Sequence, residues 1–545
     1  MKRIVISLTV LLVVCCVGVL PAAARDRDRD GFNSRLDCND RDASIHPEAA
    51  EICGDGVDQN CDGVVDEGCT SAPPTGGHEG LTYTGPEMCV SCHRVEASDM
   101  FASTHYQWQG DPLYMTNQDQ PRQGKISGAV NTYCGNVSGN WNGCSACHVG
   151  RGLLPEETLS DSQLENIDCL LCHQKEYKRI KVAGVMVPDT AKMTISMDRA
   201  VQTVHLPERA NCLGCHAKAG GGDAVKRGDL ALATINTADR NYDVHMATTG
   251  ANLACQNCHV TENHHVAGKG SDLRPTDLDV QVDCSNCHGS KPHSNSDINA
   301  HTVAVACQTC HIPVYAKNAS DTEADEATEF NRSWQAGTEH TTPPLHPVLS
   351  KANNLTPKYK FWNRFSTNYL LGDVAKVDPE TGAYPTSRPQ GNVNDGKLYP
   401  FKYKTSDYPL RSNSQELIAL DTKVFFATAD GDAAARSGLV NMGYSADDAY
   451  EWVLTDTYQL LNHQVSPKGQ ALQCADCHLK TTRIDLQGAL GYAPVRPKST
   501  CATACHESSK ANEWAYGDWE EFTQHHNKHV NEKGATCADC HSFSR

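Results

Sequence analysis

Hydrophobic positions are spread unevenly along the chain. Residues Ile4 to Leu20 form one long apolar run, preceded by Lys2 and Arg3 and followed by Ala22-Ala23-Ala24. A basic start, an apolar stretch and small residues at its end read as a signal peptide, residues 1–24. At 17 residues the run is marginal for a spanning helix, and an uncleaved anchor is the alternative. The charged Arg25–Asp30 stretch after it favours cleavage. No later run has the length and apolarity to span a bilayer, so no membrane span is expected in the mature chain. Periodic patterns beyond this point are short. Ser445-x-x-Asp448 resembles a capping box and predicts a helix running towards His463. Asp518-x-x-Glu521 predicts another, with Trp519, Phe522, His526 and His529 on one face. A stretch from 312 to 470 is rich in Tyr, Phe and Trp and can form a packed lobe. The rest predicts mostly loop with short α-helices and little β.

Composition sharpens this picture. Of 545 residues, 39% are hydrophobic and 6% aromatic, so side chains alone do not account for the interior. The formal charge is −18, and loss of Lys2 and Arg3 makes it −20. An acidic chain argues against nucleic acid, whose phosphates need a basic surface. It suits cationic partners in water.

The cysteines say what fills the interior. There are 27. Eighteen fall in nine copies of Cys-x-x-Cys-His: Cys89, Cys92 and His93; Cys144, Cys147 and His148; Cys169, Cys172 and His173; Cys212, Cys215 and His216; Cys255, Cys258 and His259; Cys284, Cys287 and His288; Cys307, Cys310 and His311; Cys474, Cys477 and His478; Cys537, Cys540 and His541. Cys501, Cys505 and His506 repeat the pattern with one extra residue. This is the c-type haem attachment sequence. Two thiols on one side of a tight turn bond the porphyrin, and the adjacent His binds iron. Zinc also uses Cys-x-x-Cys, but does not require His after every pair. Nine such coincidences are negligible when the chain has 25 His in all. For the wider copy, a disulfide or zinc pair is the alternative. About ten covalent haems are therefore expected, and export fits, because such haem is attached outside the cytoplasm.

Residues 25–70 read as a small EF-hand-like calcium module. Asp26, Asp28, Asp30, Gly31 and Asp37 fall at positions 1, 3, 5, 6 and 12 of a calcium loop. Asp58, Asn60, Asp62 and Gly63 repeat the pattern, with Asp66 and Glu67 as later ligands. Cys38, Cys53, Cys61 and Cys69 are an even set suited to two disulfides. A solvated acidic linker is the bland alternative. Residues 71–80 are a linker by composition. Seven haem motifs then occupy 81–316, a haem-free lobe 317–470, and three motifs 471–545.

A second axial ligand decides what each haem does. Two histidines close the iron and leave electron transfer, whereas an open position admits substrate. The candidate distal ligands are His105, His205, His245, His264, His293, His301, His463, His525, His526 and His529. His265 competes with His264. His46, His78, His340 and His346 read as loop histidines.

Residues 85–495 resemble the octahaem tetrathionate reductase family of c-type cytochromes. The resemblance rests on Thr104-His105-Tyr106-Gln107-Trp108, Asp168-Cys169-Leu170-Leu171-Cys172-His173, Gly220-Gly221-Gly222-Asp223 with Gly228-Asp229-Leu230, and Asp243-Val244-His245-Met246. It continues in Val305–Pro313, Tyr399-Pro400-Phe401-Lys402 and His463-Gln464-Val465-Ser466-Pro467. Residues 37–63 likewise resemble the metal-binding calcium repeats of bacterial surface proteins. The octahaem family implies one haem with a Lys ligand, placed shortly after the second motif and beside an Asn-x-x-Cys element. Asn131-Thr132-Tyr133-Cys134 matches that element. The Lys does not: Leu154 occupies its position, and Leu cannot ligate iron. The expectation is that His205 replaces it and closes the site. Cys134 is left as a pocket relic, a dimer disulfide or a buried thiol.

Three functions compete. The first is an electron relay between periplasm or cell surface and other redox proteins or extracellular acceptors, with self-association into an oligomer or filament compatible but not required. The second is a reductase of small sulfur or nitrogen compounds (tetrathionate, nitrite, hydroxylamine) near Asn131 and Cys134. The third is an adhesion protein that carries haem. Leu154 favours the relay, and a Lys such as Lys125 at the second motif favours the reductase.

Overall fold

The stretch after the seventh motif is where side-chain packing takes over. Along 328–460 aromatic and β-branched residues recur in extended runs, the composition that suits a pleated, half-buried surface. In the computed structural model these runs build a seven-stranded mixed sheet. Its strands are β1 (Thr328–Thr338), β2 (Pro347–Ala352), β3 (Lys358–Trp362), β4 (Ser366–Asn368), β5 (Tyr384–Pro389), β6 (Lys397–Arg411) and β7 (Tyr450–Leu460). The spatial order is β4-β5-β7-β6-β1-β2, and β3 pairs with the first part of β6. β6 and β7 run antiparallel from Phe401 opposite Leu460 to Arg411 opposite Tyr450. The pairs β5–β7 and β6–β1 are parallel.

The structure describes residues 26–32, 37–39, 41–47, 49, 57–61, 77–117, 122–137, 140–145, 147–268, 277–280, 282–338, 341–473, 475–478, 483–486, 490, 528 and 532–533. The signal peptide, Cys53, Cys69, Asp62, Asp66, Glu67, the motifs at Cys501 and Cys537, and His525, His526 and His529 lie outside them, as does the helix expected from Asp518. The chain divides into two units, Met1–Leu81 and Thr82–Arg545.

Two expectations are corrected. The sheet overturns "little β". The helix expected after Ser445 is strand β7: Ser445 accepts from the Asp447 N–H at 3.2 Å, making a local turn instead of a helix cap. Trp452, Val453, Thr455, Thr457 and Tyr458 then pair along β6, and eleven ladder positions outweigh one capping signal.

Two helices cover the sheet, α1 (Thr422–Thr428) and α2 (Gly431–Asn441). Asp421 caps α1 by accepting from the Lys423 and Val424 N–H groups, and Asp430 caps α2 through Ala433. Between helices and sheet lie Trp334, Tyr408, Leu410, Leu417, Leu420, Phe425, Ala434 and Ala435. Helices elsewhere among the described residues are short; most carry an attachment motif.

Gly438 of α2 packs directly on the Ala419 carbonyl, and an added Cβ would collide with that backbone oxygen. Gly438→Ala sets about 1 kcal/mol of helix propensity gained against about 1–3 kcal/mol of overpacking. The clash wins, and thermal unfolding of the haem-loaded chain is expected at a lower temperature than wild type.

Candidate functional site

The attachment motifs are made locally. In four of them the His N–H donates to the carbonyl of the first Cys: His93 to Cys89 at 2.8 Å, His173 to Cys169 at 3.0 Å, His259 to Cys255 at 2.9 Å and His288 to Cys284 at 2.9 Å. One such turn sets two thiols and one imidazole on the same short segment. The second motif departs from this. His148 donates to Ser145 at 3.2 Å, a tighter i→i+3 turn.

Among the described residues, five proximal imidazoles face a histidine from elsewhere in the chain. The ring centroids are 6.2 Å apart for His216 and His105, 6.2 Å for His173 and His264, 6.2 Å for His259 and His463, 6.0 Å for His288 and His245, and 6.1 Å for His311 and His293. Imidazoles in van der Waals contact would stand closer. A metal with nitrogen at about 2.0 Å on each side, plus about 1.1 Å from nitrogen to centroid, gives roughly 6.2 Å. The gaps fit one iron each.

Thiols of different motifs also meet. Cys89 lies near Cys169, Cys147 near Cys215, Cys212 near Cys255 and Cys284 near Cys307. Cys258 and Cys287 lie within electrostatic reach of one another. Asn211 donates to the Leu171 carbonyl at 3.1 Å, tying the fourth motif to the third. Attachment points one to seven are therefore linked neighbour to neighbour, with the second motif branching from the fourth.

The remaining distal candidates stand differently. His301 ends the helix Ser296–His301, and its carbonyl accepts from Ala304 and Val305. His205 was expected at the second motif, and this is corrected. Its N–H donates to the His173 carbonyl at 2.9 Å, and its own carbonyl accepts from His173 Nδ1 at 3.0 Å. Its ring accepts from the Lys175 N–H through Nε2 and donates from Nδ1 to the Leu206 carbonyl. The loop after helix Met197–Gln202 is thus tied to the third motif.

At the second motif, His148 is fully buried in an aromatic box of Tyr106, Trp108 and Trp141, each 5.2 Å away. Its Nε2 donates to the Tyr106 carbonyl at 2.5 Å, and Nδ1 accepts from the Gly150 N–H at 3.0 Å. Burial pushes it down to about 4. Leu154 is half exposed. Lys125 holds its ammonium 5.3 Å above the Trp108 ring and acts electrostatically on Cys144 and Cys147.

Beside this motif the sheet presents a buried charge cluster that sequence reasoning missed. Asn131 Oδ1 accepts from the Tyr133 and Cys134 N–H groups at 2.9 and 3.3 Å, folding Asn131–Cys134 into a tight turn. Arg332 reaches Cys134 Sγ at 3.5 Å and pairs with Glu329 at 2.6 Å; Lys404 pairs with Glu329 at 3.0 Å. The Tyr133 ring lies 4.0 Å from the Lys404 ammonium and 5.7 Å from that of Lys402. Three buried donors here have no partner: Thr132 Oγ1, Trp334 Nε1 and Tyr408 OH. Burial pushes Lys404 down to about 8. Burial also pushes Glu329 up, but Lys404 and Arg332 outweigh it and hold the carboxyl below the usual range. The available signal was the alternation of Lys402, Lys404 and Ser406 on one face of β6.

In the N-terminal unit, Asp26, Asp28 and Asp30 each turn an oxygen to within 4.8 Å of the others. Gly31, at φ +105°, donates to Asp26 at 3.2 Å. Asp28, Asp30 and Asp37 each keep one buried oxygen without a partner, as a cation site would require. Cys38 and Cys61 form a disulfide, so their sulfurs are unavailable as ligands. Asp58 and Asn60 lie on the segment this bond ties to Asp37.

The chain belongs to the multihaem c-type cytochromes. The octaheme cytochrome c from Shewanella oneidensis is similar to it at 31% identity and TM-score 0.64, over 77% of this chain and 97% of that one. An uncharacterized protein of Archaeoglobus fulgidus is 31% identical over 234 residues, 34% of this chain and 76% of the relative. Residues 346–481 match the family described as "Cytochrome c bacterial", and residues 37–67 match the "Putative metal-binding motif". Covalently bound haem and a redox function follow. Among the described residues no helix is long and apolar enough to cross a membrane.

Among the described residues, Glu329 is the one carboxylate paired with Arg332 and Lys404. Glu329→Gln leaves two buried cations uncompensated, and a loss of roughly 3–5 kcal/mol is expected in denaturant unfolding. Its folded value is depressed, so its contribution is present above the ordinary glutamate range. It is lost as pH falls through the lower folded value.

Proposed function

We propose that this protein is an exported decahaem relay that passes single electrons along closed, bis-histidine haems. The carrying observation is the set of five imidazole pairs spaced 6.0–6.2 Å apart. A haem bound there supplies a one-electron couple with both axial positions taken. The residues supply the rest. His105, His264, His463, His245 and His293 close the five irons. The fold sets attachment points of different motifs side by side, keeping transfer distances short. Other redox proteins or extracellular acceptors are the partners, at the cell surface or in the periplasm.

A second reading is a reductase centred on the second motif. Lys125 stands beside its thiols, and Arg332 with three unpartnered donors surrounds Cys134. Such a pocket suits a small sulfur or nitrogen oxyanion (tetrathionate or nitrite), or hydroxylamine.

Haem counting by mass and low-temperature paramagnetic resonance of the oxidised protein separate the two. The relay gives about ten haems and low-spin signals that nitrite and hydroxylamine leave unchanged. A high-spin component altered by either compound would instead establish the reductase.

The N-terminal unit is proposed to hold calcium through Asp26, Asp28, Asp30 and Asp37, with Asp58, Asn60, Asp62, Asp66 and Glu67 forming a second loop. A site at 100-fold saturation adds about 2.7 kcal/mol to the unit it binds. Chelation is expected to lower that unit's melting temperature, added calcium to restore it, and Asp28→Asn to abolish the response. Melting indifferent to chelator would count against the site.

A further inference from the structure

We propose that Asp229 lowers the reduction potential of the haem on the fifth motif through its hydrogen bond to the distal imidazole of His463. This rests on the reading above that His259 and His463 bind one iron.

Asp229 is 2% exposed. Its Oδ2 accepts from the Asn462 N–H at 2.8 Å, the His463 N–H at 3.1 Å and His463 Nδ1 at 3.2 Å. An ionised carboxylate only accepts, so the ring proton is fixed on Nδ1 and Nε2 keeps its lone pair for a metal. Sharing that proton with a buried anion makes the imidazole a stronger donor. A stronger donor stabilises Fe(III) over Fe(II). With haem bound, a redox partner would supply one electron to Fe(III), giving Fe(II), while Asp229 keeps the proton on His463 Nδ1.

Several other imidazoles are placed differently. His173 and His259 place Nδ1 against the backbone carbonyls of His205 and Ala267. His293 Nδ1 is buried without a partner. Carboxylates near His245 and His265 stand at 4.0 and 3.6 Å. Asp243, also buried, spends its oxygens on the main-chain N–H groups of His245, Met246 and Gln464. Arg227 acts on Asp229 from the opposite sign and reduces the effect without cancelling the hydrogen bond.

The test is a potentiometric titration of the haem-loaded full chain followed by paramagnetic resonance, on wild type, Asp229→Asn, Asp229→Glu and His463→Gln. Asp229→Asn is expected to keep the haem count, move one component to more positive potential and alter one low-spin signal. Asp229→Glu, which restores the charge, is expected to return both towards wild type, which a merely structural role would not do. His463→Gln should convert one low-spin haem. If it does and Asp229→Asn moves no component, the tuning role is overturned while ligation stands. If His463→Gln changes nothing, the ligand assignment falls and the proposal with it. Should Asp229→Asn yield no loaded protein, Asp229→Ser removes the same charge and carboxylate acceptor, and a fifth-motif component that it leaves unmoved also overturns the proposal.

Discussion

The axial imidazole pair is the constraint on which the rest of the fold depends. Each attachment motif is a local object, a few residues in one turn, and by itself fixes no tertiary structure. The facing histidine comes from far along the chain, as His463 does for His259 and His105 for His216. On the proposed ligation, each iron would close a long loop, whose entropic cost grows slowly with length. Covalent attachment at one end and ligation at the other therefore order segments with little regular structure. This is how a chain with 6% aromatic residues holds shape.

Legibility in the sequence follows that division. Attachment was readable because both cysteines and the histidine lie within one turn. Distal candidates were readable as a residue type, but their pairing depends on topology, and His205 shows the limit. The family resemblance, with Leu154 in place of the expected Lys, suggested the second motif for His205, yet its backbone is bonded to His173. The sheet was hidden for another reason. Ser445-x-x-Asp448 is one local signal, whereas β7 is stabilised by eleven partners on β6, which no window around Ser445 contains. Lys402 and Lys404 were hidden likewise, since two lysines in a run read as surface until Glu329 and Tyr133 are placed against them.

The sheet does more than fill the space between motifs. It carries charge into the interior on β1 and β6, at a desolvation cost met by pairing. Glu329 balances two cations, and Lys402 is held by the Val225 and Lys226 carbonyls and Thr328 Oγ1 at 2.8, 3.1 and 2.6 Å. Arg332 and Lys404 together face the one carboxylate of Glu329, while burial holds Lys402 well below the ordinary lysine range. The thiol of Cys134 and the donors of Thr132, Trp334 and Tyr408 face that cluster.

Two kinds of site thus stand on one framework. At five motifs among the described residues a second imidazole faces the first, and on the proposed ligation the protein's control would lie in what touches that imidazole. A backbone carbonyl holds a ring in place with modest effect on its donor strength, whereas the Asp229 carboxylate adds a full charge in a water-poor setting. At the second motif the turn is tighter, the imidazole sits in an aromatic box, and the neighbouring charges are cationic. Positive surroundings favour the reduced, less charged iron, opposite in sign to the effect of Asp229. On the proposed relay, the buried Asp229 and the buried cations would together draw electrons from the fifth motif towards the second, with the fourth motif between them, Cys212 near Cys255 and Cys215 near Cys147.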